Sequence, residues 1–250
     1  MGNEILTETH GRVRVITMNR PEARNAINSA LGLALVAAIE ELDSDDGLTA
    51  GVLTGAGKGF SAGMDLKAFA SEGMPKGFGQ FLQTGSQKPL IAAVEGFALA
   101  GGLEIALSCD LMVAAKGVKL GIPEVNKGLF AAGGALFRLP TRVPYGVAME
   151  MALTSDPITA EQGHELGLVC RLAEPGKAAE VALELAERIA QNAPLAVAAS
   201  KQIMRQTRGL TEEESWGFQG PLSGKVFTSE DAREGPRAFA EKREPKWTGR

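Results

Sequence analysis

The sequence predicts an α/β fold of repeated strand–loop–helix units, followed by a helical C-terminal region. Three observations carry that prediction. Short apolar runs recur, and each empties into a glycine-rich loop. Glycine is in excess: average usage of about 7% would give about 17 glycines, and the 250-residue chain has 31, of which 17 lie between Gly51 and Gly134. From about Ala178 onward the strand signals stop and amphipathic helical patterns take over.

The elements follow in order. Residues 4–9 and 12–18 read as two short strands joined at the turn signal His10-Gly11, and Arg20-Pro21 ends the second. Asn28 or Ser29 caps a helix in which Leu31, Leu35, Ile39 and Leu42 recur at helical spacing. Residues 49–54 form a buried strand that opens into a glycine loop, 55–63. Leu90–Val94 is a second such strand; Glu95-Gly96 and Gly101-Gly102 follow it, then an apolar helix to about Leu107. Leu111–Ala115 is a third, leading to Gly121-Ile122-Pro123-Glu124 and on to Gly133-Gly134. Val181, Leu185 and Ile189 then make an apolar stripe against Glu180, Glu184, Glu187 and Arg188. Pro194 opens a helix to about Gln206. Ser229, with Glu230 and Asp231, starts a shorter one, which Gly235-Pro236 breaks before Pro236 begins the last. The expected division is a core of 1–194 and a helical appendage of 195–250. Such a tail cannot bury its apolar faces alone, so it is expected to pack on a neighbouring subunit.

Composition narrows the chemistry. Two histidines (His10, His164), two cysteines (Cys109, Cys170) and one tyrosine (Tyr145) cannot assemble a His/Cys metal cluster or a disulfide framework. Carboxylates and backbone N–H groups are left as the carriers of any reaction. A net charge of −4 favours neither nucleic acid nor an anionic membrane as partner. Residues 1–9 hold no basic region and no apolar run, so no signal peptide is expected. Gly2 fits the start of a myristoylation motif, but Leu6 stands where Ser or Thr is needed. The apolar stretch 89–109 is interrupted by Glu95 and Glu104 and reads as core, not as a membrane span. Two cysteines without regular spacing fit a reducing cytoplasm.

Gly55-Ala56-Gly57-Lys58-Gly59 fails as a phosphate loop, because Val52 and Gly59 occupy positions that need Gly and Ser/Thr. It fails as a dinucleotide fingerprint because Phe60 replaces the third glycine. Gly59-Phe60-Ser61-Ala62-Gly63 matches the serine-hydrolase elbow, with Asp110 or Asp156 and then His164 in the right order. An elbow needs a strand running straight into its serine, and here Gly55 to Gly59 intervene. His164 reads as an exposed helix end, and both cysteines as buried packing residues.

Three segments form a more specific constellation. Phe60-Ser61-Ala62-Gly63-Met64-Asp65-Leu66 is one. Gly96-Phe97-Ala98-Leu99-Ala100-Gly101-Gly102-Leu103-Glu104 is the second, and Leu120-Gly121-Ile122-Pro123-Glu124 the third. With Gly101 at a helix N-terminus its N–H points outward, and Glu104 lies on the same face. A free N–H near Met64 would complete a two-donor hole for an oxyanion, and Glu124 an acid/base pair. Equally open at this point is Glu104 as a lone helix charge paired with a basic group.

Together these segments resemble the crotonase, or enoyl-CoA hydratase/isomerase, family. The resemblance extends from Asn19-Arg20-Pro21 and Asn25-Ala26 through Ala160-Glu161 and Gly167-Leu168-Val169 to Glu234-Gly235, Ala238-Phe239 and Glu241-Lys242-Arg243. It implies a crotonase-like spiral of ββα units with a C-terminal helical trimerisation region, assembled as a homotrimer or a dimer of trimers. It implies an acyl-CoA thioester substrate, with its carbonyl held by the backbone N–H groups of Met64 and Gly101, and two catalytic glutamates, Glu104 and Glu124. CoA contacts are implied at Arg24, Ala26, Ala62, Asp65 and Leu66, with Phe239 and Lys242 reaching CoA, often from an adjacent subunit. No metal or separate cofactor is implied, since CoA is part of the substrate. The implied reaction is hydration of a 2-enoyl-CoA. A carnitine-type dehydration or an enoyl-CoA isomerisation is the alternative within the family, and a serine hydrolase using Ser61 or a non-catalytic acyl-CoA-binding protein the alternative outside it. The chain departs from the family pattern at Ala100, where many members have glycine, at Met64, where alanine is usual, and at Ala131-Ala132, where hydratases commonly carry Pro-Gly.

Overall fold

The computed structural model describes residues 3–250; Met1 and Gly2 lie outside the described residues, and so does the expectation about Gly2. The strands β1 (Ile5–His10) and β2 (Val13–Met18) form an antiparallel pair. The Asn28 side chain accepts from Leu31 N at 2.9 Å and starts α1 (Ser29–Ser44), which buries Leu31, Leu35, Ile39 and Leu42 as their spacing predicts. Next come β3 (Ala50–Gly55), α2 (Leu66–Glu72), α3 (Phe78–Thr84) and β4 (Leu90–Val94). The strand β5 (Phe97–Leu99) leads into α4 (Gly101–Ser108), and β6 (Leu111–Ala115) into β7 (Lys119–Gly121). A 3₁₀ turn, Pro123–Lys127, precedes α5 (Ala135–Arg138) and α6 (Tyr145–Thr154). The core ends with β8 (Ile158–Thr159), α7 (Ala160–Glu165), β9 (Arg171–Ala173) and α8 (Ala178–Ala190).

The large sheet has the order β1-β2-β3-β4-β6-β9 and is parallel from β2 onward. Its central strands carry continuous apolar runs because both of their faces are buried, which is why they read as unbroken hydrophobic stretches. The small sheet has the order β5-β7-β8. The strand–strand–helix unit is plainest in β4, β5 and α4: one strand joins the large sheet, the next the small one, and a helix follows. The loops after β3, β4 and β6 therefore leave the same end of the parallel sheet, where α/β folds place their ligands.

Helix α8 packs on β3, β4 and β6. Its fully buried face is Ala178, Ala182 and Ala186, while Val181, Leu185 and Ile189 are half-buried beside it. This corrects the predicted stripe: a helix lying on a sheet admits only small side chains along the line of closest approach, and the larger ones splay to the flanks. Glu95 has its explanation here too. Its carboxylate accepts from Gly176 N at 3.1 Å and Ala178 N at 2.9 Å, so it caps a helix that has no side-chain cap of its own.

The remaining helices are α9 (Pro194–Gln206), α10 (Glu212–Phe227) and α11 (Glu230–Ala240). No residue of α9 or α10 is fully buried, and Met204, Trp216 and Phe227 are largely exposed. Two expectations are corrected. Pro236 does not break the last helix; α11 runs through it. Ser229 accepts from Ala232 N at its start, and Glu234 takes both Arg243 guanidinium nitrogens, which offsets the one lost backbone bond. Cys170 is exposed rather than buried, because it precedes β9 at the sheet edge, where its Sγ donates to Met112 O at 3.0 Å. Cys109 is buried, and burial pushes its thiol up to about 12. Among the described residues no helix is long and apolar enough to cross a membrane, and no group of three His, Cys, Asp or Glu gathers to hold a metal.

Candidate active site

The 60–64 segment runs beside the 97–101 segment. Phe60 N donates to Phe97 O at 3.0 Å, Leu99 N donates to Ser61 O at 3.1 Å, and Ser61 bridges Ala98 in parallel register. On its other side the segment meets Ile27, where Ile27 N donates to Gly63 O and Asp65 N to Ile27 O. Those two bonds flank Met64, so in a parallel bridge its own N–H points away from Ile27. Neither Met64 N nor Gly101 N has an acceptor among the described residues. The two backbones approach closely at these residues. A Cβ on Gly101 would sit 3.4 Å from Met64 N, and a Cβ on Gly63, whose φ is +93°, would sit 2.7 Å from Gly101 N. Glycine at 63 is required by both conformation and contact.

Gly101 opens α4, so its N–H lies at the positive end of the helix. The preceding Ala100 has φ 51° and ψ −131°, a conformation that L-residues adopt at a cost of about 1–3 kcal/mol. It is held there by Ala100 N donating to Gly121 O at 2.9 Å and by the pairing of β5 with β7. The strain turns the chain from strand to helix in one residue and aims the Gly101 N–H outward.

Glu104 lies three residues along α4 and is 5% exposed. Its carboxylate accepts from Ala135 N at 3.2 Å, and Gly133 lies so near that a Cβ there would be 2.6 Å from Oε2. Burial pushes its carboxyl above the usual range, opposed by the N–H groups of the 133–135 turn and by the charge of Arg138. Glu104 makes no ion pair among the described residues, so the lone-paired-charge reading does not hold. Glu124, in the 3₁₀ turn, has one buried oxygen, Oε2, without a hydrogen-bond partner. Burial pushes it up to about 7, with the Glu104 charge adding to the effect. The charge of Glu104 thus reaches Glu124.

Around them, Ala62 N donates to Arg24 O at 3.0 Å, and the Arg20 Nη1 donates to Ala26 O at 2.9 Å and to Asp65 Oδ2 at 2.8 Å. Asp65 also caps α2 and is held below the usual carboxylate range by Arg20, and Leu66 is exposed at the first position of that helix. The structure thus brings Arg24, Ala26, Ala62, Met64, Asp65 and Leu66 into one cluster beside Gly101. It does not bring Phe239 or Lys242 there: Phe239 is exposed on α11, and Lys242 follows that helix with φ +53°. Sequence reasoning missed the work of Arg20, Asn25, Arg138 and Ala135. Asn25 is fully buried and its amide donates to Ala56 O and Gly59 O, shaping the glycine loop. No spacing rule marks such residues, because their partners are distant in sequence.

Ser61 is fully buried. Its hydroxyl donates to Asn25 O at 2.8 Å and accepts from Gly63 N at 3.1 Å. His164 binds Val169 O through Nδ1 and has no part in this loop. The serine-hydrolase arrangement is not formed.

A strained elbow, two unpartnered N–H groups on closely approaching backbones and two carboxyls with raised pKa are groups that can hold negative charge on a carbonyl oxygen and move protons. Residues 8–250 match the enoyl-CoA hydratase/isomerase family. An enoyl-CoA hydratase of Mycobacterium tuberculosis is 41% identical, covering 100% of this chain and 98% of the relative. A carnitinyl-CoA dehydratase of Salmonella arizonae is 39% identical, covering 100% of both. A crystal structure of an enoyl-CoA hydratase from Mycobacterium marinum superposes with a TM-score of 0.94 at 52% identity, covering 100% of both chains. The chain belongs to the enoyl-CoA hydratase/isomerase, or crotonase, family of enzymes, which act on acyl-CoA substrates.

Two outcomes follow from the geometry. Ser61→Ala is expected to leave acyl-CoA turnover within about threefold while lowering stability in urea by about 1–2 kcal/mol; abolished turnover would return the hydroxyl to the chemistry. Glu124→Gln is expected to be more stable than wild type at pH 8. The folded carboxyl titrates near 7 and its ordinary value is 4.5, so the stability tied to its proton is full below about 4.5 and is lost as pH rises through about 7. The neutral amide keeps what the ionised acid loses, about 1–3 kcal/mol, and urea unfolding at pH 8 and pH 4.5 checks that the difference disappears at the lower value.

Proposed function

We propose that this chain is an enoyl-CoA hydratase, adding water across the C2=C3 bond of a 2-enoyl-CoA thioester. The observation that carries the reading is the pair Glu104 and Glu124, electrostatically coupled and unequal in environment, beside the unpartnered N–H groups of Met64 and Gly101. Glu104 receives the Ala135 N–H and the Arg138 charge, which favour its ionised form, so it acts as base toward water. The water oxygen bonds to C3, and the π electrons move through C2 to leave an enolate on the thioester oxygen. Met64 and Gly101 N–H hold that oxygen; one such donor is worth roughly 10² to 10³ in rate in a comparable site. Glu124, with its orphaned oxygen and raised pKa, gives its proton to C2. Backbone around Arg24, Ala26, Ala62, Asp65 and Leu66 receives the CoA moiety, and no further cofactor is part of the proposal.

A second reading is supported by the full-length 39% identity to the carnitinyl-CoA dehydratase: the same residues run in reverse on a 3-hydroxyacyl thioester. The bare helices α9 and α10, with Trp216 63% and Phe227 77% exposed, support a homotrimer or dimer of trimers in which Phe239 and Lys242 reach a neighbouring subunit's CoA.

Incubation with crotonyl-CoA is expected to remove the conjugated thioester absorbance, and a panel including carnitinyl-CoA separates the two readings by product. Glu104→Gln and Glu124→Gln are each expected to lower kcat by roughly 10² to 10⁴ with the fold kept; near-wild-type hydration by either would end the assignment. The kcat/KM for hydration is expected to fall above about pH 7, as the donor carboxyl is lost, and that limb to vanish in Glu124→Gln. Light scattering of the purified protein is expected to give a multiple of three chains, and a monomer would refute the assembly.

A further inference from the structure

The mechanism above draws only on the charge of Arg138, yet its hydrogen bonds make it the hub of the structure behind Glu104. It is the last residue of α5, and its Nη1 donates to Ser108 Oγ at 2.9 Å and to Gly133 O at 3.3 Å. Its Nη2 donates to Leu82 O and, at 3.3 Å, to Gln83 O. One guanidinium thus ties together the end of α3, the end of α4 and the 133–135 turn. The turn is the element whose Ala135 N binds the Glu104 carboxylate. Ser108 Oγ, held by Arg138, lies 2.8 Å from Glu104 O, so the helix that carries the glutamate is gripped by the same group.

From this geometry we propose that Arg138 is the positioning residue for Glu104: it fixes the turn that binds the carboxylate and supplies the positive charge that keeps it ionised. The inference rests on Glu104 being the base. The charged groups that face Glu104 are few. Burial favours its protonated form and the charge of Arg138 opposes that, while the Glu104 charge in turn raises Glu124. Neither α3 (Phe-Gly-Gln-Phe-Leu-Gln-Thr) nor the rest of α4 carries another ionisable side chain. Burial first, and then the charges of Arg205, Arg142 and Arg208 behind it, push Arg138 down to about 10, which leaves it cationic at neutral pH. A lysine would keep the charge but could not span four acceptors on three elements.

The test compares Arg138→Gln with Arg138→Lys. The Glu104 titration is read from carboxyl ¹³C shifts of glutamate-labelled protein, assigned through Glu104→Gln, and the acidic limb of kcat/KM is read on an enoyl-CoA. In Arg138→Gln both are expected to move up by about one pH unit. In Arg138→Lys both stay, while kcat falls about tenfold at unchanged KM, the cost of a loosened turn. An unmoved Glu104 titration in Arg138→Gln overturns the proposal, as does wild-type kcat in Arg138→Lys, which serves where the glutamine variant does not fold. A shifted carboxyl titration with no hydration of any enoyl-CoA would keep the role of Arg138 and remove the hydratase reading instead.

Discussion

Two backbones lie against each other in the centre of this molecule, 60–64 beside 97–101, with glycine at 63 and 101 and no side chain between them. The surrounding structure serves that approach. The large sheet delivers both segments to the same end, since β3 and β4 are parallel neighbours and each loop leaves from its strand's C-terminus. The small sheet then pins the second segment, through β5 on β7 and Ala100 N on Gly121 O. Asn25 and Arg20 pin the first, from a turn that precedes both. The strain at Ala100 is tolerable only because these contacts over-determine its position.

The two glutamates beside this approach are both raised by burial but differ in what compensates them. Buried carboxyls are costly when ionised. Glu104 is compensated by the 133–135 turn and by Arg138 behind it. Glu124 is left with an unsatisfied oxygen, which costs stability and holds the group near neutrality in its titration. Under the proposed reaction the inequality divides two like groups into a base and an acid. Ser61 shows the converse. Its motif matches a nucleophile elbow, but both hydrogen-bonding directions are spent on holding the loop.

At the periphery the C-terminal helices follow a different logic. They have caps, such as Thr211 and Ser229, and ion pairs, such as Arg243 with Glu234, so each is locally well formed. They lack burial. Helices of this length gain most of their stability from packing, and α9 and α10 fully bury no residue.

Much of this was determined by the sequence alone. The strands Leu90–Val94 and Leu111–Ala115, the Asn28 cap and the extent of α9 follow from local apolar runs, capping chemistry and proline placement, which act within a few residues. Glycine excess together with scarce His and Cys pointed to backbone and carboxylate chemistry, and the family resemblance singled out Met64, Gly101, Glu104 and Glu124 as candidates. Tertiary structure decided the rest, because the deciding contacts join residues far apart in the chain. The strands β5, β7, β8 and β9 are two or three residues long and exist only through their partners. That α8 buries its alanines, that Cys170 is exposed at a sheet edge and that Pro236 lies within a helix depend on neighbours no window contains. The unequal environments of the two glutamates depend on them as well: desolvation and a cation behind a distant turn are properties of packing, and packing is what divides two identical side chains into different chemical groups.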